Sequence, residues 1–201
     1  MHENTKNLPP IQIFLANPRG FCAGVERAVE IVERAILKYG APVYVRHEIV
    51  HNKYVVENLR AKGAIFIEEI SEIPEGAVTI FSAHGVSERV ENESRYKNLK
   101  VIDATCPLVK KVHLQAQKFE KEGDNIILIG HKNHPEIEGT SGRIKQKVFI
   151  VENIGDIEKV PYKTEDSISY VTQTTLSVDD TKNIIERLKD KFPTRATLDM
   201  L

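Results

Sequence analysis

The sequence predicts an α/β fold of parallel sheets, arranged as two similar units. Three observations carry that expectation. Short apolar runs rich in β-branched residues alternate with amphipathic stretches along the chain. Parallel strands need crossover connections, which helices usually supply. Reactive and phosphate-compatible side chains fall just after several of the apolar runs, and open α/β sheets bind ligands at the carboxyl ends of their strands.

The elements follow in order. Residues 11–16 form an apolar run that reads as a strand. Across 22–39, Val25, Ala28, Val29, Val32, Ala35 and Ile36 recur at helical spacing. Gly40 and Pro42 stop that helix. Then come a strand at 43–46, a helix at 52–62, strands at 64–68 and 77–82, a helix at 87–96 and a strand at 99–104. The scheme repeats: a helix at 107–122, with Pro107 tolerated in its first turn, and a strand at 125–130. A short helix at 136–144, strands at 148–151 and 167–172, and a helix at 177–192 follow. Ser177 and Asp180 resemble a capping box at its start. The expected units are 1–106 and 107–193, with a divergent tail at 194–201.

Composition narrows the function classes. The 201 residues are 41% hydrophobic and 28% charged, which excludes disordered, collagen-like and coiled-coil chains. A net charge of -1 gives no reason to expect a nucleic-acid partner. Two cysteines, Cys22 and Cys106, are too few for a disulfide-dense scaffold or a four-cysteine metal site. The first ten residues lack an apolar signal core, and no apolar run is long enough to span a membrane. A cytoplasmic protein with no membrane partner is expected.

Both cysteines sit just before a helix, where the helix N-terminus favours a thiolate. The alternative is that each is a small buried hydrophobe. The flanks, Gly20-Phe-Cys-Ala-Gly24 and Asp103-Ala-Thr-Cys-Pro107, are turn and cap sequences, and they leave both readings open. His51, His84 and His134 fall in loops or helix starts, where imidazoles donate to anions or ligate metals. His2 lies in the terminus, and His47 and His113 read as surface or packing residues. Glu136 is a candidate proton donor, or simply a first-turn acid. Thr172, Thr174 and Thr175 lie at or just past the end of the last strand. No dinucleotide fingerprint, Walker loop or zinc spacing is present.

Six longer strings point further. They are Leu15-Ala-Asn-Pro-Arg-Gly-Phe-Cys-Ala-Gly-Val-Glu-Arg-Ala28, Val45-Arg-His-Glu-Ile-Val-His-Asn52, Phe81-Ser-Ala-His-Gly-Val86 and Asp103-Ala-Thr-Cys-Pro-Leu-Val109. Ile129-Gly-His-Lys-Asn-His-Pro-Glu-Ile-Glu-Gly-Thr140 and Thr172-Gln-Thr-Thr-Leu-Ser-Val-Asp-Asp180 complete the set. In this order they resemble the 4-hydroxy-3-methylbut-2-enyl diphosphate reductases, the IspH/LytB family. The resemblance implies the last step of the methylerythritol phosphate route to isoprenoids, the reductive removal of a hydroxyl from an allylic diphosphate. It implies a [4Fe–4S] cluster on three cysteine thiolates, with ferredoxin or flavodoxin as electron donor. Carried across by motif, Cys22 and Cys106 are cluster ligands, and His51, His84 and His134 contact the substrate, mostly its diphosphate. Glu136 becomes the proton donor, and Thr174 positions substrate and proton relay.

The resemblance stops near Pro193, where the family continues into a third α/β domain that carries the third cysteine and part of the diphosphate site. The expectation is therefore a family member missing that domain. An inactive remnant of the enzyme is the first alternative. A zinc or phosphate module built on Cys22, Cys106 and a histidine is the second.

Overall fold

A computed structural model describes residues 12–17 and 19–192. Its first sheet holds β1 (Val43–Arg46), β2 (Ala64–Ile67), β3 (Val78–Phe81) and β4 (Lys100–Asp103), all parallel, in the order β2-β1-β3-β4. Its second sheet holds β5 (Asn125–Ile129), β6 (Phe149–Val151) and β7 (Ile168–Thr172), also parallel, in the order β6-β5-β7. Helices α1 (Ala23–Tyr39), α2 (Lys53–Ala61) and α3 (Glu88–Tyr96) serve the first sheet. Helices α4 (Pro107–Lys121), α5 (Pro135–Ser141) and α6 (Val178–Lys191) serve the second. The expected parallel-sheet α/β class is the one observed.

The helices begin where capping chemistry dictates. Asn52 accepts the Val55 amide, Ser87 the Val90 amide and Ser177 the Asp180 amide. Gly40 ends α1 at φ +79°, and its amide bonds the Ile36 carbonyl. The α1 stripe expected to face inward does so: Ala28, Val32 and Ala35 pack with Val43, Val45, Leu59 and Ile80. The second core gathers Ile127, Ile129, Val151, Ile157, Tyr170 and Leu188. Two 3₁₀ segments, Ile70–Glu72 and Ile154–Lys159, were not expected from the sequence pattern, since segments of three and six residues are too short to leave a periodic signature.

One element differs. Residues 12–16 form no strand; Ile13, Phe14 and Leu15 are exposed, and Ile11 lies outside the described residues. Strand propensity reports fitness for a pleated surface, not the presence of a partner, and neither sheet pairs with this run. The tail at 194–201 lies outside the described residues, as does Pro193.

The two sheets are joined through α5. The Glu88 amide donates to the Gly142 carbonyl at 3.2 Å, and Arg143 Nε donates to the Val86 carbonyl at 2.8 Å. Arg46, buried at the end of β1, reaches Glu138 Oε1 on α5 at 3.0 Å. A Cβ on Gly142 would sit 2.3 Å from Ser87 Cβ. Gly142→Ala is therefore expected to lower stability by about 1–3 kcal/mol, by overpacking. The urea unfolding midpoint should fall at unchanged slope.

Among the described residues, no helix is long and apolar enough to cross a membrane.

Candidate active site

Parallel strands point their carboxyl ends one way, so loops distant in sequence meet there. His51 follows β1, His84 follows β3 and Cys106 follows β4. His134 and Glu136 follow β5, and Thr174 follows β7. Backbone bonds stitch these loops together. The Ala83 amide donates to the Ile49 carbonyl at 3.2 Å, and the Cys106 amide to the Ala83 carbonyl at 2.9 Å. The Gln173 amide donates to the Ile129 carbonyl at 2.8 Å.

His51, His84 and His134 come together, as the sequence suggested. Their ring centroids lie 4.3, 5.0 and 5.5 Å apart in the three pairings. One nitrogen from each falls within 4.8 Å of the others. That spacing alone suits a cation, but the proton inventory of His134 points to an anion. The Glu136 amide donates to His134 Nδ1 at 3.1 Å. A neutral His134 ring therefore carries its proton on Nε2, as a donor. His134 Nε2 lies 3.1 Å from His51 Nε2, so it donates there until a better acceptor arrives. Ser82 Oγ lies 3.2 Å from His84 Nδ1 and fixes that ring from behind.

Electrostatics keep His84 and His134 uncharged. Burial, and then the neighbouring His51, His134 and His47, push His84 down to about 3. Burial, and then His51 and His131, push His134 down to about 4. His113, buried under the His84 loop, falls to about 4 through burial and then Arg143. These folded values lie below the unfolded one, so the unfolded chain binds more protons as pH falls below 6.5. The stability the neutral rings provide is present above that pH and lost on acidification. We expect a loss of about 2 kcal/mol or more between pH 7 and pH 5, read from urea unfolding midpoints.

Glu136 is almost wholly buried at the start of α5. Its Oε1 accepts the Thr174 amide at 2.7 Å, and its Oε2 bonds Thr174 Oγ1 at 2.9 Å. Burial raises its proton affinity, and the Thr174 bonds offset only part of the rise. A carboxyl held this way is suited to keep and release a proton.

Cys22 and Cys106 are the N-cap residues of α1 and α4, and neither side chain makes a capping hydrogen bond. The two thiols converge on Gly24. A Cβ there would lie 2.8 Å from Cys106 Sγ and 3.7 Å from Cys22 Sγ. Among the described residues, the one cluster of three or more potential metal ligands is the histidine trio, so no zinc site joins both cysteines to a histidine.

Some supporting residues escaped the sequence reading. Gln173, buried, accepts the His131 amide at 3.1 Å and donates to Thr175 Oγ1 at 2.7 Å. Gly85, at φ +77°, passes so close to His113 that a Cβ would meet its ring at 2.7 Å. His47 and His113 are packing residues, as expected: His47 pairs with Glu68 at 2.6 Å, at a φ of 60°.

The family model described as LytB protein matches residues 13–200. The chain belongs to the LytB family. It is 56% identical over 186 residues to the 4-hydroxy-3-methylbut-2-enyl diphosphate reductase of Nitrosomonas europaea, spanning 91% of this chain and 58% of that protein. It is 60% identical over 180 residues to 4-hydroxy-3-methylbut-2-enyl diphosphate reductase 1 of Rhodopseudomonas palustris, spanning 90% and 59%. The solved E-1-hydroxy-2-methyl-but-2-enyl-4-diphosphate reductase of Plasmodium falciparum superposes with a TM-score of 0.88 at 48% identity, over 91% of this chain and 57% of that one. A second solved structure, (E)-4-hydroxy-3-methyl-but-2-enyl diphosphate reductase, described as the terminal enzyme of the non-mevalonate pathway, superposes with a TM-score of 0.78 at 34% identity, over 92% and 66%. This LytB chain thus spans somewhat under three fifths of the length of the curated relatives it matches.

Proposed function

We propose that this chain carries the cysteine pair and the substrate groups of a LytB reductase, acting on 4-hydroxy-3-methylbut-2-enyl diphosphate in the cytoplasm. The reaction takes the allylic alcohol, two electrons and two protons to isopentenyl or dimethylallyl diphosphate and water. The observation that carries this reading is the convergence of the three histidines beside the buried Glu136–Thr174 pair. Each role below rests on that placement together with the family resemblance.

The His134 Nε2–H, with His51 and His84 beside it, binds the diphosphate oxygens. A neutral His134 does this by donation, without the desolvation cost of a buried charge. Glu136 gives a proton to the departing hydroxyl oxygen, and Thr174 holds the carboxyl in line for it. Cys22 and Cys106 supply two thiolates at helix N-termini, and the gap at Gly24 leaves room for both sulfurs, which fits a [4Fe–4S] cluster. When bound, that cluster supplies electrons and an iron Lewis acid for the leaving oxygen. Reduced ferredoxin or flavodoxin serves as donor. The units divide after Cys106, so both cysteines belong to the first unit, and Cys106 caps the helix that opens the second.

A second reading rests on the cysteine count. The chain has two, and the resemblance implies three. On that reading the chain keeps the binding groups and turns over weakly or not at all. Anaerobic assay of the reconstituted chain with reduced viologen separates the two. Products that disappear in Glu136→Gln support the reductase. Substrate binding without product supports the second reading. Neither binding nor product, with iron and sulfide bound, contradicts both.

A further inference from the structure

The two cysteines come from helices whose starts are more than 80 residues apart in sequence, yet their sulfurs face one glycine. We infer that Gly24 and Arg27, both on α1, are positioning residues that set the two thiols as a pair. This deepens the reading above, and rests on it only for the identity of what the thiols hold.

Gly24 acts by what it lacks. It is helical, so an alanine costs no backbone strain and has the better helix propensity. The atom an alanine Cβ would strike is Cys106 Sγ, at 2.8 Å, the end of a rotatable side chain. The fold therefore tolerates Gly24→Ala, while the thiol must leave its rotamer and its place beside Cys22.

Arg27 acts as a clamp. Its Nη1 donates to the Thr105 carbonyl at 3.2 Å and to the Ala104 carbonyl at 3.4 Å, the two residues before Cys106. The Cys106 side is already tied to its own sheet, by the Cys106 amide on the Ala83 carbonyl at 2.9 Å and the Thr105 amide on Asp103 Oδ1 at 2.8 Å. Arg27 adds a tie from that framework to the helix that Cys22 starts. Both bonds leave the one Nη1 nitrogen, so lysine keeps a charged donor for these carbonyls but loses the planar head that holds it rigidly.

The test is thiol bridging in the reduced, metal-free 201-residue chain with dibromobimane. Two thiolates displace two bromides and form two C–S bonds, and strong fluorescence needs both. The wild-type chain should bridge within one molecule. Gly24→Ala and Arg27→Ala should each lower the bridged yield about fivefold or more, with total alkylation unchanged and thermal unfolding still cooperative. Arg27→Lys should recover part of the yield. A residue that only stabilised the fold would shift the unfolding curve and leave bridging in the folded chain intact. Wild-type bridging that both alanine variants match overturns the inference, as does a wild-type chain that does not bridge. Bridging that behaves as expected in a chain that takes up no iron or sulfide supports the thiol pairing and overturns the cluster reading instead.

Discussion

Glu136→Ala is expected to destabilise the chain by about 3 kcal/mol, whereas Glu136→Gln should be close to neutral at pH 7. The contrast follows from the Thr174 contacts. Alanine leaves the Thr174 amide and hydroxyl facing a cavity, each without its 2.7 or 2.9 Å partner. Glutamine keeps both contacts: its carbonyl oxygen accepts the amide, and its NH₂ donates to Thr174 Oγ1. The pH dependence carries the same logic. Burial raises the folded proton affinity of Glu136 above its unfolded value, so protonation favours the folded state, and that favour is lost as pH rises through the folded pKa. Glu136→Gln should remove this component and flatten that part of the stability–pH curve. A glutamine variant as unstable as the alanine one would contradict the role given to the two Thr174 contacts.

The second large effect is on anion binding. Inorganic diphosphate should bind the wild-type chain at the histidine cluster. His84→Phe or His134→Phe should each weaken binding about 10- to 100-fold, the loss of one hydrogen bond to a charged acceptor. Lys182→Ala, on the exposed face of α6, should leave it unchanged. Calorimetry reads both outcomes. His134→Phe also removes the acceptor of the Glu136 amide, so its stability should fall more than that of His84→Phe. Zinc binding that displaces diphosphate without proton release would contradict the tautomer argument for His134.

Much of this was legible in the sequence because parallel α/β folds write their plan locally. Alternating runs give the elements, and the residues after each strand give the pocket. Cys106, His84, His134 and Thr174 were readable for that reason. What the sequence did not carry is contact between distant loops. Nothing in the pattern says that Arg27 reaches residues 104 and 105, or that Gln173 braces the His131 loop. Gly24 read as a turn glycine, although its role is the space it leaves for a sulfur on another helix. The run at 12–16 failed in the opposite direction: apolar, β-branched residues promise a strand, but a strand also needs a neighbour with free backbone groups.

The central claim is that Cys22 and Cys106 hold an iron–sulfur centre beside the histidine and Glu136 groups. Anaerobic reconstitution of the 201-residue chain with ferrous iron and sulfide, followed by counting both per chain, tests it most directly. The account predicts bound iron and acid-labile sulfide with thiolate-to-iron absorption in the wild-type chain, and loss of both in Cys22→Ser and in Cys106→Ser. A colourless wild-type protein, or iron and sulfide contents unchanged in the two serine variants, would contradict it.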